Sequence, residues 1–199
     1  MTVKLLWVSP EPAKAIEYAA RLCYDSHDKT KEGSASKLIK ACLNKGHYSI
    51  TEHASASFEV SEVSRALLAQ LSRHRFLSLC VRSQRYCKED SFGAVRPSFI
   101  CKDKHMEQEQ EQLFEMALEQ AQEIYTSLLN HGMKAEDARG VLPNACHTRF
   151  VVTANFRAFY EFLGKRTDRA AQWEIRNMAN EMLVELYNVC PDVFGGMME

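Results

Sequence analysis

From His53 to Val60 the chain alternates without a break, with Ala54, Ala56, Phe58 and Val60 on one side and Ser55, Ser57 and Glu59 on the other. A period of two sends successive side chains to opposite faces of a strand, so this segment reads as a half-buried strand. The period then changes. Ser61 is a suitable N-cap with Glu62 in the first turn, and Val63, Leu67 and Leu71 recur at helical spacing. A strand that feeds into a helix points to a mixed architecture.

The remaining pattern agrees. Lys4 to Val8 reads as a short opening strand, and Pro10 and Pro12 precede a helix through Ile16, Ala19, Ala20 and Cys23. Asp25 to Ser36 reads as a loop, and Ser36 to Asn44 as a helix closed by Gly46. An acidic lead-in, Glu107 to Glu111, opens the clearest helix, striped by Leu113, Ala117, Ala121, Ile124 and Leu128 and closed by Gly132. That stripe, extended to Leu129, suits a structural role or equally a subunit interface. Arg149 to Ala154 reads as a second internal strand. Two helices follow, the last carrying Ala171, Ile175, Met178, Met182 and Leu186 up to Pro191. With 199 residues, 46% of them hydrophobic, and no repeat or linker, one α+β domain covering 1–199 is expected.

Composition narrows the function classes. Lys plus Arg number 25 and Asp plus Glu 26, a formal charge of -1, so there is no global attraction to nucleic acid or an anionic membrane, and any anion site must be local. Met1 to Val8 lacks the order of a signal peptide and no apolar stretch reaches the length of a membrane span, which leads us to expect a cytoplasmic protein. Seven scattered cysteines without a C-x-x-C pair disfavour a zinc knuckle or a disulfide framework. No metal site is expected, and most of the cysteines are read as small buried hydrophobes.

Between Gln70 and Lys88 the chain sets Arg73, Arg75, Arg82 and Arg85 beside His74, Ser72, Ser83, Gln84 and Tyr86, amid apolar Phe76, Leu77, Leu79 and Val81. Gln70, Arg73 and His74, at i, i+3 and i+4, share adjoining helix surface. A solvated basic face is one reading; bidentate binding of phosphate or carboxylate in a partly dry site is the other. A second set, Arg139, Arg149, Asn155, Arg157, Arg166 and Arg169, suggests a second anionic ligand. For Arg157 and Arg166, surface ion pairing with Glu161 or Asp168 is the structural alternative.

The run Arg73-His74-Arg75, seven residues, then Ser83-Gln84-Arg85-Tyr86 resembles the signature of flavin-dependent thymidylate synthases. Other blocks are similar to the family's in the same order: His47-Tyr48-Ser49 with Glu52-His53, Ala138 to Pro143, Thr148-Arg149-Phe150, Asn155-Phe156-Arg157, and Ala171 to Arg176. Together they span His47 to Cys190.

The resemblance implies an antiparallel sheet packed by long helices and a homotetramer with active sites between subunits. The implied ligands are FAD, dUMP, NADPH and 5,10-methylenetetrahydrofolate. By position, Ser49, Arg73, His74, Arg75, Asn155, Phe156, Arg157 and Glu161 are expected to hold FAD. Gln70, Leu71, Ser72, Arg73, Val81, Arg82, Ser83, Gln84, Arg85, Arg139 and Arg166 are expected to hold dUMP. Arg166 is the expected activating cation, since positive charge near uracil N3 and O4 stabilises negative charge on the pyrimidine.

No cysteine lies in a recognisably activated setting, and Cys80 and Cys87, which flank the motif, are read as structural. Ser83 has no evident base, so it is read as positioning substrate. His53 is expected to make structural hydrogen bonds, and His47 to border the substrates. Val81, Glu161 and Ala170 depart from the family's usual residues; Glu161 would repel an anionic cofactor unless paired, with Arg157 or Lys165 as candidates. A non-catalytic RNA-binding protein is the competing reading, against which the near-neutral charge weighs.

Overall fold

The computed structural model describes residues 1–98 and 103–198. Cys101 lies outside the described residues. In chain order the elements are β1 (Thr2–Val8), α1 (Pro12–Leu22), α2 (Ser34–Asn44), β2 (Ser55–Ser64), α3 (Arg65–Leu71), β3 (Ser78–Val81), α4 (Lys104–Asn130), α5 (Ala135–Ala138), β4 (His147–Asn155), α6 (Phe156–Arg166), α7 (Trp173–Val189) and α8 (Pro191–Phe194). The strands form one antiparallel sheet in the order β1-β2-β4-β3, which is the expected α+β class. The chain divides into two compact units, Met1–Val60 with Gln70–Cys80 and Phe150–Glu199, and Ser61–Ala69 with Val81–Arg149.

In the first unit, alternation from Ala54, the extended residue that precedes β2, along β2 and along β4 buries Ala54, Ala56, Phe58 and Val60 together with Phe150, Val152 and Ala154. On α6, Phe156, Phe159, Phe162 and Leu163 fall on one stripe, and on α7 Ile175, Met178, Met182 and Leu186 do the same; all are buried. Phe58 meets Phe159 edge-on at 5.5 Å, and Phe156 meets Phe194 at 5.1 Å. Each such ring contributes roughly 1.5–3 kcal/mol by leaving water. The Asn155 side chain accepts the Ala158 N–H and starts α6, while Gln172 accepts from Glu174 and Ile175 and starts α7. Arg21 and Glu17 form a buried ion pair on α1, and Ser34 at the start of α2 donates to Glu17 at 2.6 Å.

In the second unit, the 27-residue α4 is capped by Asp103, whose carboxylate accepts the His105 N–H. It buries Leu118 and Tyr125, and the Tyr125 hydroxyl accepts the Glu89 N–H at 3.2 Å. Gln122 accepts from Phe92 and donates to the Glu89 carbonyl, both at 3.0 Å. The expected stripe lies mostly elsewhere: Leu113 is 61% exposed and Ile124 50%.

Three local expectations need correction. β2 continues past Val60 to Ser64, bending at Glu62, whose φ of 56° is left-handed. The helix therefore begins at Arg65, and the cap is Ser64, accepting the Leu67 N–H at 3.0 Å, rather than Ser61. The expected loop from Asp25 to Ser36 contains a 3-10 turn, His27–Lys29, and the first residues of α2. Of the described cysteines only Cys146 and Cys190 are buried, whereas Cys23, Cys80 and Cys87 are exposed. The glycines behave as expected: Gly46 and Gly132 follow α2 and α4 with φ of 77° and 88°, which a side chain would strain.

Candidate active site

α3 ends at Leu71, but the chain makes one more turn. The Arg73 N–H donates to the Gln70 carbonyl at 3.4 Å and the His74 N–H to the Leu71 carbonyl at 3.0 Å. Leu71 and Leu77 are buried, so the core pins both ends of the segment while Arg73, Arg75 and Phe76 stand exposed. The His74 ring lies edge-on to Phe162 of α6 at 5.0 Å. At the end of the same helix, Arg166 donates from Nε to His74 Nε2 at 2.9 Å, and from Nη2 to the Gln70 carbonyl at a longer 3.5 Å. Nε2 can accept only from a lone pair, so this imidazole is neutral, with its proton on Nδ1. Burial, and then the charges of Arg166 and Lys165, push its pKa below the ordinary histidine value.

Two clefts open around this segment. One, of about 220 Å³, is lined by Arg73, His74, Arg75, Glu161, Phe162 and Lys165, among others. The second, of about 400 Å³, is lined by Ser49, Glu52, Asn155, Arg157 and Glu161, with Phe76 and Ala158 shared between the two. Seven of the eight residues expected to hold a flavin cofactor thus line adjoining clefts. The eighth, Phe156, has its ring in the core, and its N–H donates to the Ala54 carbonyl at 2.8 Å. Arg157 donates to Glu161 at 2.6 Å, one helical turn on, and its guanidinium lies 5.0 Å from the centre of the Tyr48 ring. Glu161 is therefore neutralised by the helix-surface pairing that the sequence offers. Arg166 departs from that alternative, since it meets His74 and not Asp168.

Glu52 and Lys165 also line these clefts, although the sequence offers Lys165 only as a partner for Glu161 and Glu52 only as part of a family-like block, neither as a binding residue. The signal for Glu52 is its spacing: three residues after Ser49 in the 3-10 turn Tyr48–His53, it falls on the same face. His47 and His53 are both exposed.

Of the residues expected to hold substrate, Gln70, Leu71, Ser72, Arg73 and Arg166 belong to the first unit and Arg82, Ser83, Gln84, Arg85 and Arg139, with Val81, to the second. Leu71 is fully buried, so its side chain supports the helix end from the core. In the second unit Arg82 pairs with the buried Glu89, and Arg85 pairs with Glu136. Arg139 donates to the Glu136 carbonyl at 2.9 Å, which makes Glu136 a common anchor for two residues expected to hold dUMP. Ser83 Oγ accepts the Arg85 N–H at 3.2 Å, fixing a turn. Gln84 is buried, and its Nε2 lacks a partner among the described residues. Of the other departures from the family pattern, Val81 ends β3 half-buried and Ala170 lies exposed, its N–H bonded to Asp168.

The buried thiols are chemically quiet. Burial pushes Cys146 up to about 12 and Cys190 up to about 11, far from thiolate at neutral pH. Among the described residues no group of three His, Cys, Asp or Glu could hold a metal ion, and no helix is long and apolar enough to cross a membrane.

The fold and the two adjoining clefts, the smaller of them rich in cations, define a class, and comparison with known proteins narrows it. Residues 4–192 match the model of a family described as thymidylate synthase complementing protein. A flavin-dependent thymidylate synthase of Geobacter sulfurreducens is 40% identical over 202 residues, covering 98% of this chain and 85% of the relative. One of Clostridium tetani is 38% identical, covering 96% and 84%, and one of Pyrococcus furiosus 34%, covering 92% and 78%. The chain belongs to the flavin-dependent thymidylate synthase family.

Proposed function

We propose that this protein converts dUMP to dTMP as a flavin-dependent thymidylate synthase, using FAD, NADPH as reductant and 5,10-methylenetetrahydrofolate as one-carbon donor. The observation that carries the mechanism is Arg166, a cation resting on a neutral imidazole with no acidic partner among the described residues.

The residues present fit FAD. Arg73, Arg75 and Lys165 line a cleft whose one carboxylate, Glu161, is already bound to Arg157, leaving net positive charge for a pyrophosphate. Ser49 and the Asn155 amide add polar contacts in the adjoining cleft. When bound, FAD supplies the two-electron carrier between NADPH and the one-carbon unit.

The chain's own task is to bind, orient and polarise. Arg82, Ser83, Gln84, Arg85 and Arg139 hold the nucleotide, the guanidiniums matching its phosphate dianion, with Gln70, Ser72 and Arg73 as further contacts. Arg166 faces the pyrimidine and stabilises negative charge at N3 and O4, which raises electron density at C5 without covalent attack by the enzyme. Cys146 and Cys190 take no part, because their protons are held too tightly. The protein acts in the cytoplasm as a homotetramer with its active sites between subunits.

Arg166→Ala tests the assignment. Turnover is lost and dUMP affinity falls by roughly 10- to 100-fold, the value of a hydrogen bond to a charged group, while FAD stays bound. Turnover that survives the substitution overturns the role of Arg166.

A further inference from the structure

Among the described residues, five other arginines are held by carboxylates. Arg21 pairs with Glu17, Arg82 with Glu89, Arg85 with Glu136, Arg96 with Glu115 and Arg157 with Glu161. Arg166 is held instead by an imidazole, and the choice has an electrostatic consequence. A carboxylate would fix the guanidinium but cancel much of its charge; a neutral ring fixes it and leaves the charge whole.

The geometry points to His74 as the positioning residue for Arg166, a neutral acceptor that orients the guanidinium toward the pyrimidine and releases it when protonated. This rests on the reading of Arg166 as the activating cation. Nε2 of His74 has one lone pair, spent on Arg166 Nε–H at 2.9 Å. Protonation removes the lone pair and puts a second positive charge against the first, so the contact turns from attraction to repulsion. The ring cannot swing away freely, since Phe162 packs edge-on against it at 5.0 Å.

The charged groups around His74 act in the same direction. Arg166 and Lys165 approach from α6, and Arg73 and Arg75 flank it on its own segment. Glu161, the acid lining the same cleft, is engaged by Arg157. Burial, and then the cations at 166 and 165, lower the imidazole pKa below the ordinary histidine value and so favour the neutral ring. Acid is therefore the only direction in which the contact fails.

The experiment compares FAD-loaded wild type, His74→Gln, His74→Ala and Arg166→Ala, measuring kcat/KM for dUMP from pH 5 to 8 and, separately, FAD affinity. In wild type, kcat/KM for dUMP falls on the acid side with the titration of His74, followed independently by imidazole NMR. Glutamine presents an amide oxygen that accepts but does not titrate in this range, so His74→Gln loses that acid limb and retains more dUMP affinity than His74→Ala. His74→Ala weakens dUMP by roughly 10-fold, the loss of one hydrogen bond to a charged group, with a smaller effect on FAD. If both His74 variants lose FAD and dUMP together, or the acid limb persists in His74→Gln, the positioning role is overturned. Arg166→Ala separates the two claims: if it is inactive while His74→Ala binds dUMP normally, only the positioning fails. If Arg166→Ala is active, the reading beneath it fails.

Discussion

At the scale of single residues, the arginines of the two clusters differ in what neutralises them, and that difference could not be read from sequence. Spacing alone offered Glu161 to Arg157, a contact the structure makes at 2.6 Å. It also offered Asp168 to Arg166, and the structure instead reaches back 92 positions to His74. A pairing within one helix turn is legible because helical geometry fixes it; one between α6 and a turn after α3 depends on packing. Because Glu161 competes for Arg157, Glu161→Gln is expected to tighten FAD by about 2- to 5-fold, the scale of an exposed ion pair, as flavin absorbance titration would measure. Weaker FAD binding would mean that the carboxylate itself contacts the cofactor. The lowered pKa of His74 has a stability sign as well. Its folded value lies below the ordinary 6.5, so as pH falls through 6.5 the unfolded chain takes up the proton first. Stability therefore declines from about pH 6.5 down to the folded pKa, and urea midpoints at pH 7.5 and 5.5 should differ less in His74→Gln than in wild type.

At the scale of elements, the strands and long helices were legible where one face is covered, as in β2 up to Val60 and in α7. The start of α3 was not. Two serines three residues apart both suit a cap, and only the backbone bend at Glu62, which carries the strand on to Ser64, decides between them. Ser64→Ala should cost about 1 kcal/mol in chemical denaturation, whereas Ser61→Ala should cost little. Equal losses would restore Ser61 as the cap. α4 shows the complementary difficulty. Its apolar residues mark an amphipathic helix, but the face this chain buries runs through Leu118 and Tyr125, and Tyr125 is placed by its hydroxyl as much as by its ring. A count of aliphatic residues cannot see that.

At the scale of the whole molecule, the family is legible in ordered blocks from His47 to Cys190, and the match over residues 4–192 agrees with that span. The face of α4 left by Leu113, Met116 and Ile124, each about half exposed or more, suits burial in the proposed homotetramer. Leu113→Glu with Ile124→Glu should shift the sedimentation of the protein to a smaller species, and an unchanged species would place the subunit interface elsewhere. The central claim is enzymatic, and it is tested most directly by incubating the FAD-loaded protein with dUMP, NADPH and 5,10-methylenetetrahydrofolate and measuring dTMP. Formation of dTMP that requires all three, and that disappears in Arg166→Ala, is the predicted result; no dTMP from folded, FAD-loaded protein would contradict it.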